Sequence, residues 1–220
     1  MKVLIACEES QTVCKAFREK GHEAYSCDIQ ECSGGHPEWH IQGDAIEIAY
    51  NNEWDLMIAH PPCTYLTISA EWAYKDPDYI RYPIIGYHQK LKSKTLFGNK
   101  RRIARKDAIL FVRQLINCSV KKKAIENPVG ILSKHIGPAS QYIQPYEFGE
   151  DASKKTGLWL FGLPNLRPTK YYPPRIVGGK KRWSNQTDSG QNKETPSENR
   201  GRIRSKFYTG WAKAMADQWG

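Results

Sequence analysis

The sequence predicts an α/β protein whose mostly parallel β-sheet lies between two layers of helices. Short apolar segments with strand character alternate with segments of helical periodicity, and this alternation is typical of β-α-β units. Polar or reactive residues directly follow several of these strands. The chain has 220 residues, which is enough for one such domain with a substantial core.

The first half of the chain supplies four predicted strands. Lys2–Cys7 is a buried strand, and Ser10 is the predicted N-cap of a helix over residues 12–20 that Gly21 terminates. The next three strands are Glu23–Asp28, a short element that runs toward Gly43-Asp44, and Trp54–His60, which Pro61-Pro62 ends abruptly.

The second half continues the same pattern. Apolar residues at helical spacing predict a helix over Ile103–Asn117, and the strand Lys123–Glu126 follows it and stops at Asn127-Pro128. Thr156–Phe161 is a candidate later strand of the same sheet. Gly210–Trp219 is predicted to be a short closing helix.

Two stretches interrupt the pattern and set the predicted domain organisation. Residues 69–102 combine aromatic and basic side chains, and they form an insertion in a core domain over residues 1–166. Residues 167–203 are rich in Pro, Gly, Ser and basic residues, so we expect a basic irregular loop or a small recognition region there. Residues 204–220 are expected to return to the core as a C-terminal helix.

Charge is distributed unevenly along the chain, whose formal net charge is +10. Residues 1–60 hold 4 Lys/Arg and 11 Asp/Glu, whereas residues 61–220 hold 29 and 12. A strongly basic remainder favours a polyanionic partner, most simply nucleic acid, over a basic surface without a partner.

Cysteine usage and hydropathy predict the cellular location. Six cysteines are too few for a disulfide scaffold of this length, so we expect free thiols in a reducing cytoplasm. No apolar run approaches the roughly 20 residues that cross a bilayer. Met1 leads directly into the first strand, without the basic-then-apolar pattern of a secretory signal.

Polar or reactive residues follow four of the predicted strands. They are Cys7-Glu8-Glu9-Ser10, Asp28, Pro61-Pro62-Cys63-Thr64 and Glu126-Asn127-Pro128. In a parallel sheet the carboxyl ends of the strands share one edge, and ligands bind there. The four segments together predict a functional site at this edge.

The order of these motifs resembles the cytosine-5 DNA methyltransferase family, especially its short bacteriophage-type members. Pro61-Pro62-Cys63 after a strand is similar to the family's nucleophile loop, and Ala124-Ile125-Glu126-Asn127 is similar to its Glu-Asn motif. The other matching segments are Asp28 and Gly43-Asp44 as acidic cofactor contacts, Lys154–Trp159 as a basic substrate-contacting strand, and Arg204-Ser205 with residues 210–219 as a closing motif. The resemblance implies a Rossmann-like class I methyltransferase fold without a large target-recognition domain.

The resemblance also implies S-adenosyl-L-methionine as the cofactor and DNA, with a loose or short sequence preference, as the partner. The implied catalytic residues are Cys63, Glu126, Asn127 and Lys155, where Lys154 is the alternative to Lys155. The implied cofactor-binding residues are Cys7, Glu8, Ser10, Asp28, Ile29, Gly43, Asp44, His60 and Pro61. The implied nucleic-acid contacts are Lys100, Arg101, Arg102, Lys154, Lys180, Lys181, Arg182, Arg202 and Arg204.

The chemistry of cytosine explains these residue types. A thiolate that adds to C6 makes C5 nucleophilic toward a methyl donor, and cysteine suits this role because it is a strong nucleophile that can later leave. A carboxyl group at N3, here Glu126, can donate a proton and relieve the charge that builds on the ring. Asn127 is expected to orient Glu126. In duplex DNA the base must first leave the stack.

Two other functions remain open. The turn Ala6–Ser10 holds no glycine and no large recognition domain is present, which favours a related pyrimidine C5-modifying enzyme with another donor or substrate. A non-catalytic nucleic-acid-binding protein on the same scaffold would use only the basic charge. Locally, Glu8 and Glu9 are either a solvated helix start or part of the cofactor pocket, and residues 69–102 are either a packed lid or a DNA platform.

A zinc site is the remaining candidate. Cys27, Cys32, His36 and His40 follow the spacing C-x4-C-x3-H-x3-H, and zinc binds such ligands tetrahedrally. However, Cys27 directly precedes the strand-ending Asp28, and the intervals match no common zinc pattern. We therefore expect no metal.

Overall fold

The structure is a computed structural model, and it describes residues 1–68, 70–88, 95–194 and 207–220. The central sheet contains β1 (Lys2–Ala6), β2 (Glu23–Asp28), β3 (His40–Gln42), β4 (Leu56–Ala59), β5 (Lys122–Pro128), β6 (Gln141–Ile143) and β7 (Thr156–Phe161). A separate hairpin contains β8 (Arg175–Val177) and β9 (Lys180–Arg182). The helices are α1 (Thr12–Glu19), α2 (Ala45–Asn51), α3 (Gly98–Asn117), α4 (Leu132–Ile136) and α5 (Thr209–Trp219).

The seven strands lie in the order β3-β2-β1-β4-β5-β7-β6. β1 to β5 pair in parallel, and β7 runs antiparallel to both of its neighbours. The chain winds outward from β1 through β2 and β3, and then returns to add β4 and β5 on the other side. This doubly wound order confirms the predicted α/β class, and its switch point lies between β1 and β4.

Helices cover both faces of the sheet. Because successive side chains of a strand point to opposite faces, Val3 and Ile5 of β1 enter one core, where they join Phe17 of α1 and Trp211 of α5. Leu4 enters the opposite core with apolar residues of α2 and α3. The three predicted layers are therefore present.

The predicted strand bounds agree closely with the structure. β2 and β7 have the predicted limits. β5 continues through Pro128, beyond the predicted stop at Asn127, because Pro128 is still in register with Thr156 of β7. Helix α3 begins at Gly98, five residues before its apolar periodicity, since its first turns are strongly polar. Four short elements were not predicted: α2, α4, β6 and the β8–β9 hairpin.

The described part of the aromatic insertion packs onto α3. Tyr74 and Tyr87 are buried, and the guanidinium of Arg105 lies 3.4 Å from the ring centroid of Tyr74. Arg101 is also buried, and it donates to the carbonyl of Leu96. These contacts favour the packed lid over the DNA platform.

One predicted nucleic-acid contact in this insertion, Arg101, is therefore wrong. The Arg101 side chain is buried inside the protein, and its guanidinium lies 4.7 Å from the ring centroid of Tyr74. Arg102 donates to the carbonyl of Tyr74 at 2.8 Å and pairs with Asp76 at 2.9 Å. Both arginines hold the insertion in place, and Arg102, whose side chain is 39% exposed, stays a predicted contact.

Residues 167–194, the described part of the predicted recognition region, pack against the segment between β6 and β7. The ring of Trp183 stacks on that of Tyr146 at a centroid distance of 4.1 Å and an angle of 9°. The backbone N–H of Ser184 donates to the carboxylate of Asp151, and the side-chain amide of Asn185 donates to the carbonyl of Ser153. The region carries the β8–β9 hairpin, and residues 195–203 lie outside the described residues.

The folded chain bears on the expectations about membrane spans and thiols. Within the described ranges, no helix has the length and apolar character needed to cross a bilayer. None of the six cysteines, all of which lie in the described ranges, forms a disulfide. Burial raises the pKa of Cys14 and of Cys27 to about 12, so these two thiols are poor nucleophiles near neutral pH.

Lys123 joins the end of α3 to the sheet and provides a test of the fold. Its buried Nζ donates to the carbonyls of Ile116 (2.6 Å) and Cys118 (2.7 Å), which lie where helix acceptors lack intrahelical partners. We predict that Lys123→Met lowers the free energy of unfolding by about 1–3 kcal/mol, because buried carbonyls lose a charged donor. Urea denaturation measures this change.

The adjacent exposed lysine supplies the matched control. Lys122→Met should change the free energy of unfolding by no more than about 0.5 kcal/mol, as is usual for surface substitutions. Equal losses in the two variants would contradict the capping role of Lys123.

Candidate active site

The carboxyl ends of three neighbouring strands form one edge of the sheet. In the parallel register Ala6 pairs with Ala59, and Ala59 pairs with Ile125. The residues that follow these three are Cys7, His60 and Glu126. The register therefore brings together three of the four segments that the sequence marked as reactive, and β2 adds Asp28 beside them.

Glu126 is the buried acid of this edge. His60 Nδ1 lies 3.3 Å from Glu126 Oε2, and the two side chains are only 11% and 8% exposed. The other carboxylate oxygen, Oε1, is buried and makes no hydrogen bond within the described residues. Burial alone would raise the pKa of Glu126, but the His60 hydrogen bond and the charges of Lys154 and His60 outweigh burial and lower it.

Asn127 holds the loop that carries Cys63. Its buried Nδ2 donates to the carbonyl of Pro61 at 2.8 Å. Consecutive strand residues point to opposite faces, so Asn127 is turned away from the Glu126 carboxylate. The expectation that Asn127 orients Glu126 is therefore wrong, and His60 makes that contact instead.

Cys63 begins a tight turn against the loop that follows β5. Its carbonyl accepts from the backbone N–H groups of Leu66 (3.0 Å) and Thr67 (3.2 Å). The Leu66 carbonyl in turn accepts from Ile131 at 2.8 Å, and a Cβ at Gly130 would collide with it. The half-buried Cys63 and the buried Glu126 thus lie on two segments that are joined by hydrogen bonds.

The two adjacent lysines before β7 have different positions. Lys154 acts on Glu126, because its positive charge helps to lower the pKa of that carboxyl group. Lys155 is exposed, and its Nζ lies 4.6 Å from the ring centroid of Tyr142. Lys155 therefore stays a prediction as a catalytic residue, and Lys154, its predicted alternative, is the lysine whose charge acts on the acid.

The turn after β1 has the backbone of a glycine turn without a glycine. Cys7 has φ 61°, in the left-handed region that side chains disfavour. The N–H of Glu8 donates to the carbonyl of Cys27 at 3.0 Å and so ties this turn to β2. The strained conformation at Cys7 therefore supplies the chain direction that glycine usually supplies.

Glu8 caps helix α1 from four residues before it. Its buried carboxylate accepts from the N–H groups of Val13 (2.7 Å) and Cys14 (3.1 Å). The predicted N-cap Ser10 is wrong, because Gln11 occupies the N-cap position and Glu8 satisfies the free donors. Burial raises the pKa of Glu8, with partial opposition from His60 and the two N–H groups, so Glu8 is not a solvated helix start.

Acidic residues at the ends of β2 and β3 surround Cys7. Burial raises the pKa of the Cys7 thiol, and the charges of Asp28 and Asp44 raise it further. Asp28 Oδ1 accepts from the N–H of Gln30 at 2.9 Å. Asp44 caps α2 by accepting from Ile46, and Ile29 is 76% exposed beside Asp28. Most of the predicted cofactor contacts thus lie on one side of the edge, whereas His60 and Pro61 lie on the Glu126 side.

The zinc candidates point to other partners. Cys27 Sγ faces the carbonyl of Gly43, and His40 contacts Ser26 Oγ and the carbonyl of Gln30. His36 pairs with Glu38. Across the described ranges, no group of three or more His, Cys, Asp or Glu side chains could hold a metal ion.

The predicted nucleic-acid contacts of the C-terminal half differ in exposure. Lys180 and Lys181 are exposed on β9, as is Lys100 at the start of α3. Arg182 is half-buried, and it stays a predicted contact although its Nε donates to the carbonyl of Asp188 and one terminal nitrogen to that of Lys181. Arg202 and Arg204 lie outside the described residues.

The strand order and the antiparallel β7 define a Rossmann-like α/β protein of the methyltransferase fold class. No family model and no curated protein matches this chain. Among solved structures it is similar to a proposed DNA modification methyltransferase encoded within a prophage of E. coli, at a TM-score of 0.46 and 11% identity. The alignment covers 79% of this chain and 52% of the other, so this chain spans about half the length of that protein.

The lowered pKa of Glu126 predicts a pH dependence of stability. A carboxyl group whose pKa is lowered by folding stabilises the protein above its ordinary pKa, and this contribution is lost as pH falls through the folded pKa. We predict that the stability difference between wild-type protein and Glu126→Gln is largest near neutral pH and shrinks in acid. Urea denaturation at a series of pH values measures it.

The exposed acid Glu53 provides the reference. Glu53→Gln removes one negative charge outside the site, so it corrects for the change in net charge. A Glu126→Gln difference that grows as pH falls would show that the carboxylate is not stabilised by its neighbours.

Proposed function

We propose that this chain transfers a methyl group from S-adenosylmethionine to C5 of cytosine in DNA through a covalent adduct with Cys63. The observation that carries the proposal is the Asn127–Pro61 hydrogen bond, which fixes the Cys63 loop to the strand end that presents Glu126. Glu126 Oε1 is buried and lacks a hydrogen bond in the described part of the chain. A pyrimidine between these two groups would receive the thiolate at C6 and meet the acid at N3.

The reaction needs a nucleophile and a proton at opposite edges of one ring. As the Cys63 sulfur bonds to C6, electrons move through the ring toward N3, and Glu126 transfers a proton there. C5 then has enamine character and accepts the methyl group. Loss of the C5 proton to solvent, cleavage of the C6–S bond and return of the N3 proton to Glu126 restore the enzyme.

The edge around Cys7 fits a nucleoside-type methyl donor. When bound, S-adenosylmethionine would supply an electrophilic methyl group, and Asp28 at the end of β2 suits a ribose hydroxyl pair. The exposed apolar Ile29 is suited to an adenine ring. The left-handed Cys7 supports this fit, because the turn after β1 keeps a glycine-like backbone although its glycine is missing.

The chain offers two exposed basic surfaces for DNA. The β8–β9 hairpin presents Lys180 and Lys181 beside a Gly178-Gly179 turn, and exposed Ile176 shares a face with Lys181. Lys100 lies separately at the start of α3. Phosphate contacts from exposed lysines supply affinity without sequence information, which suits a loose or short sequence preference.

The decisive prediction concerns Cys63. Wild-type protein incubated with labelled S-adenosylmethionine and DNA should label C5 of cytosine, and DNA with 5-fluorocytosine should form a stable adduct with Cys63. Cys63→Ser should lose activity by at least about 10³-fold, because a neutral hydroxyl is a much weaker nucleophile than a thiolate. Nucleoside mass spectrometry and denaturing gels measure these results.

The half-buried Cys32 is the matched control, and Cys32→Ser should retain full activity. Full activity in Cys63→Ser would exclude the covalent mechanism. Failure of wild-type protein to bind S-adenosylmethionine in calorimetry, together with an adduct on 5-fluorocytosine, would favour another donor instead.

The hairpin lysines test the DNA surface. We predict that Lys180→Ala/Lys181→Ala weakens DNA binding and reduces the slope of log K against log salt concentration by up to about 1.8, since each phosphate contact contributes about 0.9. Fluorescence anisotropy at several salt concentrations measures the slope.

A double variant of equal charge gives the control for the hairpin. Lys121→Ala/Lys122→Ala removes two exposed lysines at the amino end of β5, opposite the candidate site. Equal effects of the two double variants would indicate that only net charge matters.

A further inference from the structure

We propose that His60 is a positioning residue that orients Glu126 and passes it the proton that reaches the pyrimidine. This inference rests on the proposed function and deepens it, because it names the source of the proton. The sequence predicts His60 as a cofactor contact, and no motif in the sequence links it to the acid.

The backbone holds His60 firmly at the end of β4. Its N–H donates to the carbonyl of Ala6 at 2.9 Å, which continues the ladder between β1 and β4. The side chain is only 11% exposed, and its ring centroid lies 4.5 Å from that of Phe207. These contacts restrict rotation of the imidazole, so Nδ1 stays directed at Glu126 Oε2, 3.3 Å away.

The two oxygens of Glu126 have separate roles in this arrangement. Oε2 faces the imidazole, whereas Oε1 is buried without a hydrogen bond in the described segments. An acid that takes a proton on one oxygen and gives one from the other can relay it without rotating. His60 Nε2 is likewise buried without a hydrogen-bond partner there, whereas Nδ1 faces an acceptor oxygen of Glu126.

Charged groups from two other segments, the turn after β1 and the residues before β7, act on this pair. Glu8, on the turn after β1, interacts electrostatically with His60, and Lys154, before β7, interacts with Glu126. Glu126 itself is the nearest anion to His60. The charge of Lys154 helps to lower the pKa of Glu126, which makes this carboxyl group a stronger proton donor toward N3.

The step balances in atoms and charge. The Cys63 thiolate bonds to C6, the ring electrons move to N3, and N3 takes a proton from Glu126 Oε1. Glu126 starts as the acid protonated on Oε1, and the imidazolium of His60 gives its Nδ1 proton to Oε2, so Glu126 ends as the acid protonated on Oε2 and His60 as a neutral ring. Elimination of the thiolate reverses both proton transfers.

Two substitutions separate orientation from proton transfer. In His60→Asn the amide Nδ2 can still donate to Glu126 but cannot carry the proton, whereas His60→Ala removes both functions. We expect kcat to fall about 10²-fold in His60→Asn with little change in KM for DNA, a typical loss for general acid-base catalysis. The fall of wild-type kcat at alkaline pH should disappear in His60→Asn. His22→Asn, at the amino end of the sheet, is the control and should match wild type.

A second measurement needs no substrate. In His60→Ala the pKa of Glu126, followed through its ¹³C carboxyl resonance, should rise, because the hydrogen bond and charge that lower it are gone. A wild-type pH profile and kcat in His60→Asn, or an unchanged Glu126 titration in His60→Ala, would overturn the relay. If wild-type protein forms no adduct with 5-fluorocytosine DNA, the proposed function fails, and the Glu126 titration still decides whether His60 acts on the acid.

Discussion

The hydrogen bond from Asn127 to the carbonyl of Pro61 joins the two segments on which the site is built. The loop after β4 and the end of β5 are held together at 2.8 Å by a side chain that is almost fully buried. Buried amides are costly to leave unpaired, so this contact favours one arrangement of the loop. The position of Cys63 relative to Glu126 depends on it, as does the direction from which His60 approaches the acid.

The turn after β1 adopts a left-handed conformation that glycine usually adopts, but it contains no glycine. Cys7 accepts a left-handed conformation, and Glu8 replaces the usual short side-chain cap by reaching across to the first turn of α1. Strain at one residue is maintained because the surrounding hydrogen bonds fix its neighbours. A left-handed turn therefore forms after β1 although the turn contains no glycine.

Much of the fold could be predicted from the sequence, because β1, β2, β4, β5 and β7 are short apolar runs between clear turn signals. The strand ends also located Cys63, Glu126 and Asp28 at one edge, since parallel register determines which residues are neighbours. Contacts of individual side chains could not be predicted. Lys154 and Lys155 are adjacent in the sequence, so the sequence alone does not tell which of them acts on Glu126. Arg101 packs against Tyr65 and Tyr74, which become its neighbours only after folding.

The stacked rings of Tyr146 and Trp183 attach the β8–β9 hairpin to the segment between β6 and β7, and the hairpin contributes no strand to the central sheet. The hairpin tip can therefore change in length and composition while the sheet and its carboxyl edge remain the same. Such an attachment lets the exposed surface of the hairpin vary without any change in the arrangement of Cys7, His60 and Glu126.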